Sequence, residues 1–206
     1  MKFSITRLLA LAPLASAFPA LTWRQTSTVQ ITGVQLTGDG CPNGTYSTDY
    51  SPDRSTLTVG FDAYQVAIGD GAPPQVREEH CELFLTLRYP VGCSSGSVAV
   101  TYHYFAALSG GVTATETAQY NLSPGSTVGS NPPPAVFPSG STGVFTKSDT
   151  VVTAANIQAA NQQDVSFVAR TRVYLQAPGP AASGSLSIDD VTFTVSPQTR
   201  TCPRKL

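Results

Sequence analysis

The chain has 206 residues, only 12% of them charged, and a formal net charge of −1. No basic run lies along any element, which argues against a nucleic-acid partner and an anionic membrane surface. Scarce charge with abundant Ser, Thr, Gly and Pro points away from a helical cytosolic protein and toward a secreted β protein.

Residues 1–17 read as a secretory signal. Lys2 and Arg7 form the charged start, Leu8–Leu14 the apolar stretch, and Ala15-Ser16-Ala17 the small-residue cleavage site. The apolar stretch is too short to span a bilayer. Cleavage after Ala17 would take 17 residues from 206 and leave 189, enough for one domain (18–206) with a substantial core. With Lys2 and Arg7 gone, ten basic residues stand against thirteen acids, a charge of −3. The tail Ser196–Leu206 is polar and has no lipid-anchor pattern, so no membrane role is expected after signal removal.

Val29–Leu36 reads as a first strand, with a bulge at Gly33. Asp39–Asp53 is turn-rich and carries Asn43-Gly44-Thr45, a glycosylation acceptor. Leu57, Val59, Phe61 and Ala63 alternate with polar residues and predict a second strand. Cys81, Leu83, Leu85 and Leu87 predict a third. Val98–Leu122 then holds two alternating runs around Ser109-Gly110-Gly111. This pattern predicts an antiparallel hairpin with Leu108 opposite Val112, Val100 facing Tyr120 and Tyr102 facing Ala118. Glu116 is the one charge on the apolar face, opposite Tyr104 in that register. A buried carboxylate needs a partner, and Tyr104, Arg170 or Arg172 could serve.

Residues 123–148 form a Pro/Gly/Ser-rich stretch with Pro132-Pro133-Pro134, expected to be a disordered or draped loop. Ala154–Gln163 suits a short helix or irregular turn. Val165–Leu175 predicts another strand. Leu186 and Ile188 continue the theme, but Val191, Phe193 and Val195 have switched parity. The switch at Asp189-Asp190 predicts a bulge. About eight short strands with no long amphipathic helix indicate an all-β fold: an antiparallel two-sheet β-sandwich, jelly-roll-like and disulfide-bonded.

Cys41, Cys81, Cys93 and Cys202 suggest two disulfides in a secreted chain, with three connectivities open. No Cys-x-x-Cys pair exists and there are only two histidines, so no zinc site is expected.

A set of motifs runs through this part of the chain in order. They are Gly40-Cys41-Pro42-Asn43-Gly44-Thr45, Ser51–Arg54, Val59-Gly60-Phe61-Asp62-Ala63-Tyr64, Arg77, Cys81-Glu82-Leu83, Tyr89-Pro90-Val91-Gly92 and Leu108–Tyr120. Together they resemble the fungal secreted family called "domain of unknown function 4360". The resemblance covers Gly33–Leu122 well and the rest weakly. It implies a secreted fungal protein and brings no established catalytic residues. It also implies a Cys41–Cys81 disulfide, which leaves Cys93 with Cys202. Two departures stand out. The family usually has an aromatic residue where Cys93 stands, and a further cysteine around Val151–Ala155 that is missing here.

Several constellations could carry chemistry. Gly92-Cys93-Ser94-Ser95-Gly96 matches the nucleophile-elbow pattern, but a strand rather than a helix follows it. Glu78-Glu79-His80 is a dense polar cluster that reads as a solvated loop edge. His103 falls on the polar face of its strand, opposite Thr117 in the predicted register. Gly184–Phe193 looks like the closing strand of galactose-binding-type jelly rolls, where such an aspartate often helps hold a structural calcium. That makes Asp189 and Asp190 the candidate metal ligands, with calcium as the ion. Arg170 or Arg172 would be the alternative source of positive charge between them.

The expected function is that of a non-enzymatic, extracellular binding module for glycan or another wall or host component. Tyr46, Tyr50, Tyr64 and Phe84 are the candidate exposed aromatics for sugar stacking. A secreted hydrolase working through carboxylates is the alternative. An effector-like or structural protein with a protein partner is a third class.

Overall fold

The computed structural model describes residues 28–69, 77–90, 95–123, 126–154, 163–179 and 181–197. The signal segment, Cys93, Cys202 and the expected turn after Ala154 therefore lie outside the described residues. Twelve strands form in this part of the chain. They are β1 (Gln30–Thr37), β2 (Tyr46–Tyr50), β3 (Thr56–Phe61), β4 (Gln65–Ile68), β5 (Glu78–Tyr89), β6 (Ser95–Leu108), β7 (Thr113–Ser123), β8 (Ser126–Ser130), β9 (Ala135–Phe137), β10 (Thr142–Ala154), β11 (Gln163–Gln176) and β12 (Gly184–Pro197).

They make two six-stranded sheets. The first runs β1-β5-β11-β7-β8, with β9 also paired to β7. The second runs β10-β6-β12-β3-β2, with β4 also paired to β12. The pairings within them are antiparallel. The expected two-sheet β-sandwich is the observed fold.

Alternation explains the core. Leu83, Leu85 and Leu87 of β5 and Val98, Val100, Tyr102, Tyr104 and Ala106 of β6 all point inward and are buried. Full burial of each such aliphatic side chain stabilises by roughly 1.5–3 kcal/mol. The predicted bulges are both present. The β1–β5 register shifts between Ile31 and Gly33, and the β12–β6 register shifts between Ile188 and Asp190.

The hairpin prediction is corrected. β6 and β7 do not pair; they lie in opposite sheets. Ser109–Gly111 makes a turn with Gly110 and Gly111 at φ 60° and 81°, but the chain then crosses from one sheet to the other. Two apolar faces can meet as neighbours in one sheet or as facing layers, and alternation alone is the same for both. His103 consequently stands opposite Thr146 and Asp190, not Thr117. The expected loop at 123–148 is also corrected, because β8, β9 and most of β10 lie within it. Thr142–Ala154 alternates like the other strands, and its register with β6 is continuous over its length.

Candidate functional site

The outer face of the first sheet carries an ordered polar surface. Strand parity on β11 turns Asp164, Ser166, Arg170, Arg172 and Tyr174 outward, between the outward rows of β5 and β7. Register then sets opposite charges side by side. Arg170 Nε donates to Glu82 Oε1 at 2.9 Å. Arg172 Nε and Nη2 donate to the two Glu78 oxygens, each at 2.6 Å. Arg88 donates from Nε and Nη2 to Asp164 at 2.8 and 3.0 Å. Hydrogen bonds from these arginines hold the Glu78 and Asp164 carboxyls below the usual carboxylate range. His80 donates its backbone N–H to Asp39 Oδ1 at 2.7 Å. The Glu78-Glu79-His80 cluster is thus part of strand β5, not a loop edge.

A depression of about 260 Å³ opens on this face, lined by His80, Glu82, Thr117, Gln119, Arg170 and Arg172 as well as the buried Thr171. The ion pairs fix the guanidinium planes but leave Arg170 and Arg172 with N–H groups that make no hydrogen bond to the described residues. The Thr117 hydroxyl and the Gln119 amide make no hydrogen bond to the described residues. Tyr174 stands beside the depression, with the Arg172 guanidinium 5.0 Å from its ring centre. Phe84, paired with Val168, sits further along the same face.

A second polar group lies inside the sandwich. Glu116 is fully buried, and its partner is Lys147, which donates to Glu116 Oε2 at 3.0 Å. The same ammonium is 3.2 Å from Asp149 Oδ2. Tyr120 donates to Asp149 Oδ2 at 2.6 Å and lies 2.8 Å from the Tyr102 hydroxyl. Burial pushes the Glu116 carboxyl up, against the pull of Lys147. The expected partners Arg170 and Arg172 are on the outer face with Glu82 and Glu78 instead. Sequence reasoning missed Lys147 because it fell in the stretch taken for a loop. The signal was there: a charged pair at 147 and 149, spaced two apart, faces one side of an alternating run.

The third group is at the β12 bulge. Asp190 and His103 are paired, Oδ1 to Nδ1, at 2.8 Å. Asp189 accepts from Ser187 Oγ at 2.7 Å. Neither Arg170 nor Arg172 serves these acids. Among the described residues, no group of three or more His, Cys, Asp or Glu is arranged to hold a metal.

The candidate aromatics do not form one platform. Tyr64 is 2% exposed and its hydroxyl is 2.9 Å from Thr171 Oγ1, so the expectation that it is an exposed stacking ring is corrected. Gly40 leaves the space that its ring fills, since a Cβ there would lie 2.3 Å from Tyr64. Tyr46 and Tyr50 lie on edge strand β2 opposite Phe61 and Leu57, half-buried against the core. Arg54 covers the Tyr50 ring at 4.5 Å. Of the four, Phe84 alone lies on the outer face of the first sheet. Tyr174, which shares that face, was not anticipated. Cys41 and Cys81 form a disulfide with Cα atoms 5.6 Å apart.

These features define a disulfide-linked, two-sheet β-sandwich domain with a polar depression on one outer face. Residues 27–202 match the domain of unknown function DUF4360, and the chain belongs to that family. A protein of Arthroderma benhamiae, named "uncharacterized secreted protein", is 38% identical over 95 residues. That match covers 46% of this chain and 39% of the relative, so it spans about two-fifths of the curated protein. Two solved carbohydrate-binding modules are similar at a distance. TmCBM61, in complex with β-1,4-galactotriose, is 12% identical with a TM-score of 0.32, over 82% of this chain and 91% of that one. CBM28, specific for non-crystalline cellulose, is 11% identical with a TM-score of 0.35, over 79% and 88%. Likeness this distant carries no functional argument.

Proposed function

We propose that this is a secreted binding module that takes a neutral glycan chain along the outer face of its first sheet. The supporting observation is the depression over Thr117, Gln119, Arg170 and Arg172, with its unused donors and acceptors. Sugar hydroxyls both give and accept hydrogen bonds, and planar side chains held in place by ion pairs lose little freedom on engaging them. Each arginine on the face is already matched by a carboxylate, so the surface favours an uncharged ligand. Phe84 and Tyr174 flank the depression. The Val168-to-Tyr174 stretch of β11 spans about 20 Å at the usual strand rise, room for several sugar rings in a row.

The carboxylate-hydrolase reading has less support. Glu116 and Asp149 share a single lysine in the core, and their side chains are 0% and 7% exposed. A hydrolytic pair must converge on a cleft that admits substrate. Residues 1–17 as signal and Cys93–Cys202 as a second disulfide belong to the same extracellular reading.

Retention of the purified mature protein on chitin, β-glucan and cellulose tests the proposal. Binding to at least one is expected. Gln119→Ala combined with Arg170→Ala should weaken it by about tenfold or more, at roughly 1.5 kcal/mol per lost charged hydrogen bond. Thr192→Ala on the opposite sheet should leave it unchanged. No retention on any of the three, or equal loss from the Thr192 variant, would overturn the assignment.

A further inference from the structure

Lys147 is the sole lysine among the described residues, and it is buried between two carboxylates on facing sheets. Its side chain is 14% exposed, and that of Glu116 is 0% exposed. The aromatic rings of Tyr102, Tyr104 and Tyr120 surround the group, with the ammonium 5.6 Å from the Tyr102 ring centre. Phe137 packs on Tyr104 at 5.2 Å and on Phe145 at 5.3 Å on the side of β9, where a depression of about 300 Å³ lined by Tyr104, Phe137, Phe145 and Lys147 opens to the surface. Among the described residues, Glu116 Oε1 and the Tyr104 hydroxyl make no hydrogen bond of ordinary length, and the two groups lie beside each other.

An ion pair in such surroundings is held against a large desolvation cost. Shifting one proton makes it a neutral amine and a neutral carboxylic acid, the two reactants of amide formation. We propose that Lys147 and Glu116 condense to an intramolecular isopeptide bond, which joins β10 of the second sheet to β7 of the first.

The step balances without a co-reactant. One proton passes from the Lys147 ammonium to Glu116 Oε2 along their 3.0 Å hydrogen bond, which leaves a neutral amine facing the protonated acid that burial favours. The neutral amine attacks Glu116 Cδ, and a C–N bond forms. Charge develops on Oε1, where the Tyr104 hydroxyl beside it can donate to it. The nitrogen gives up its second proton, the Cδ–O bond to Oε2 breaks, and that oxygen leaves as water with a proton relayed by Asp149. Overall, one ammonium and one carboxylate become one amide and one water, with no change in charge or oxidation state. Nζ and Oε2 are 3.0 Å apart on two rigid strands, so the encounter is intramolecular and pre-aligned. Asp149 sits on the same strand as Lys147, two residues away, so a bond to it would link no separate elements. Glu116 is the acceptor that ties the sheets together.

The test is chymotryptic mapping of the secreted, reduced and deglycosylated protein by tandem mass spectrometry. Cleavage after Tyr120 and Phe145 places Glu116 and Lys147 in separate peptides. A branched peptide joining them, lighter than their sum by one water, is expected. Intact mass should show the same deficit, and Lys147→Arg should restore the full mass. A linear Lys147 peptide in the wild-type protein would overturn the proposal, as would a bond from Lys147 to Asp149. The wild-type map alone decides it, whether or not the variant folds.

Discussion

Tyr102 and Tyr120 meet hydroxyl to hydroxyl, 2.8 Å apart, from opposite sheets. Tyr120 donates its one hydroxyl hydrogen to Asp149 at 2.6 Å, so the order of donation is Tyr102 to Tyr120 to Asp149. The two variants should therefore differ. Tyr102→Phe removes one donor and should cost about 0.5–1.5 kcal/mol. Tyr120→Phe strands the Tyr102 donor in the core and leaves the Asp149 carboxylate with Lys147 alone, and should cost about 2–4 kcal/mol. Equilibrium denaturation of both proteins checks this. Equal losses would mean the chain of donation is not as described.

The same two residues show what the sequence could and could not convey. Their inward direction was legible, because alternation in 98–108 and 112–122 fixes which side chains are apolar. Their placement on facing sheets was not. Sheet membership depends on which distant strand completes each ladder, here β10 and β12 for β6 and β11 for β7. The bulge at Asp189-Asp190 was legible from the parity switch, but His103 as partner of Asp190 required the true β6–β12 register. Tyr64 looked like a surface aromatic because it falls on the polar parity of the run that holds Leu57, Val59, Phe61 and Ala63. The hydrogen bond that buries it comes from Thr171, far away in the chain. Arg170 and Arg172 were noticed as charges, but the depression they line needs β5, β11 and β7 side by side.

The Cys41–Cys81 disulfide closes a loop with a sequence separation of 40. Chain-entropy arguments give about 4 kcal/mol for a loop of that size. Replacing both cysteines by serine should lower the denaturation midpoint accordingly while leaving the circular dichroism of the sandwich in place. A double variant as stable as the parent would show that the bridge constrains nothing in the unfolded chain.

Asn43 is exposed in a tight turn, where Gly44 takes φ 90° and the Thr45 hydroxyl donates to the Pro42 carbonyl at 2.8 Å. Asn121 lies within β7, half-buried, and its Ser123 is followed by proline. Glycan is expected on Asn43 and not on Asn121. Intact mass before and after enzymatic deglycosylation, with Asn43→Gln as reference, checks both sites. Secreted material with a bare Asn43 would count against the expectation.

Glu79 sets a pH dependence. It faces inward beside Tyr64, one of its oxygens is buried with no hydrogen-bond partner among the described residues, and burial together with nearby Asp39 pushes its carboxyl up to about 7. A carboxyl raised on folding binds its proton more tightly in the folded state. Its contribution is harmless below the ordinary value of 4.5 and grows destabilising as pH rises through about 7. Glu79→Gln should therefore raise the melting temperature at about pH 8 and change little at about pH 4, where both states carry the proton. A variant that gains stability equally at both values would sink this reading.

The paired acids at the β12 bulge supply the final prediction. Calcium needs six or more oxygens converging on one point. Here Asp190 is held by His103 at 2.8 Å and Asp189 by the Ser187 hydroxyl at 2.7 Å, two separate engagements. A chelator such as EDTA should then leave the melting temperature unchanged, and added calcium should not raise it. The His103–Asp190 pair is partly exposed, with side-chain exposures of 40% and 33%, so solvent screens it. Asp190→Asn should cost no more than about 1 kcal/mol, the range for exposed pairs. A clear fall in melting temperature with EDTA, abolished by Asp189→Ala, would instead reinstate these two residues as ligands of a structural cation, because only a bound ion stabilises the folded state by mass action.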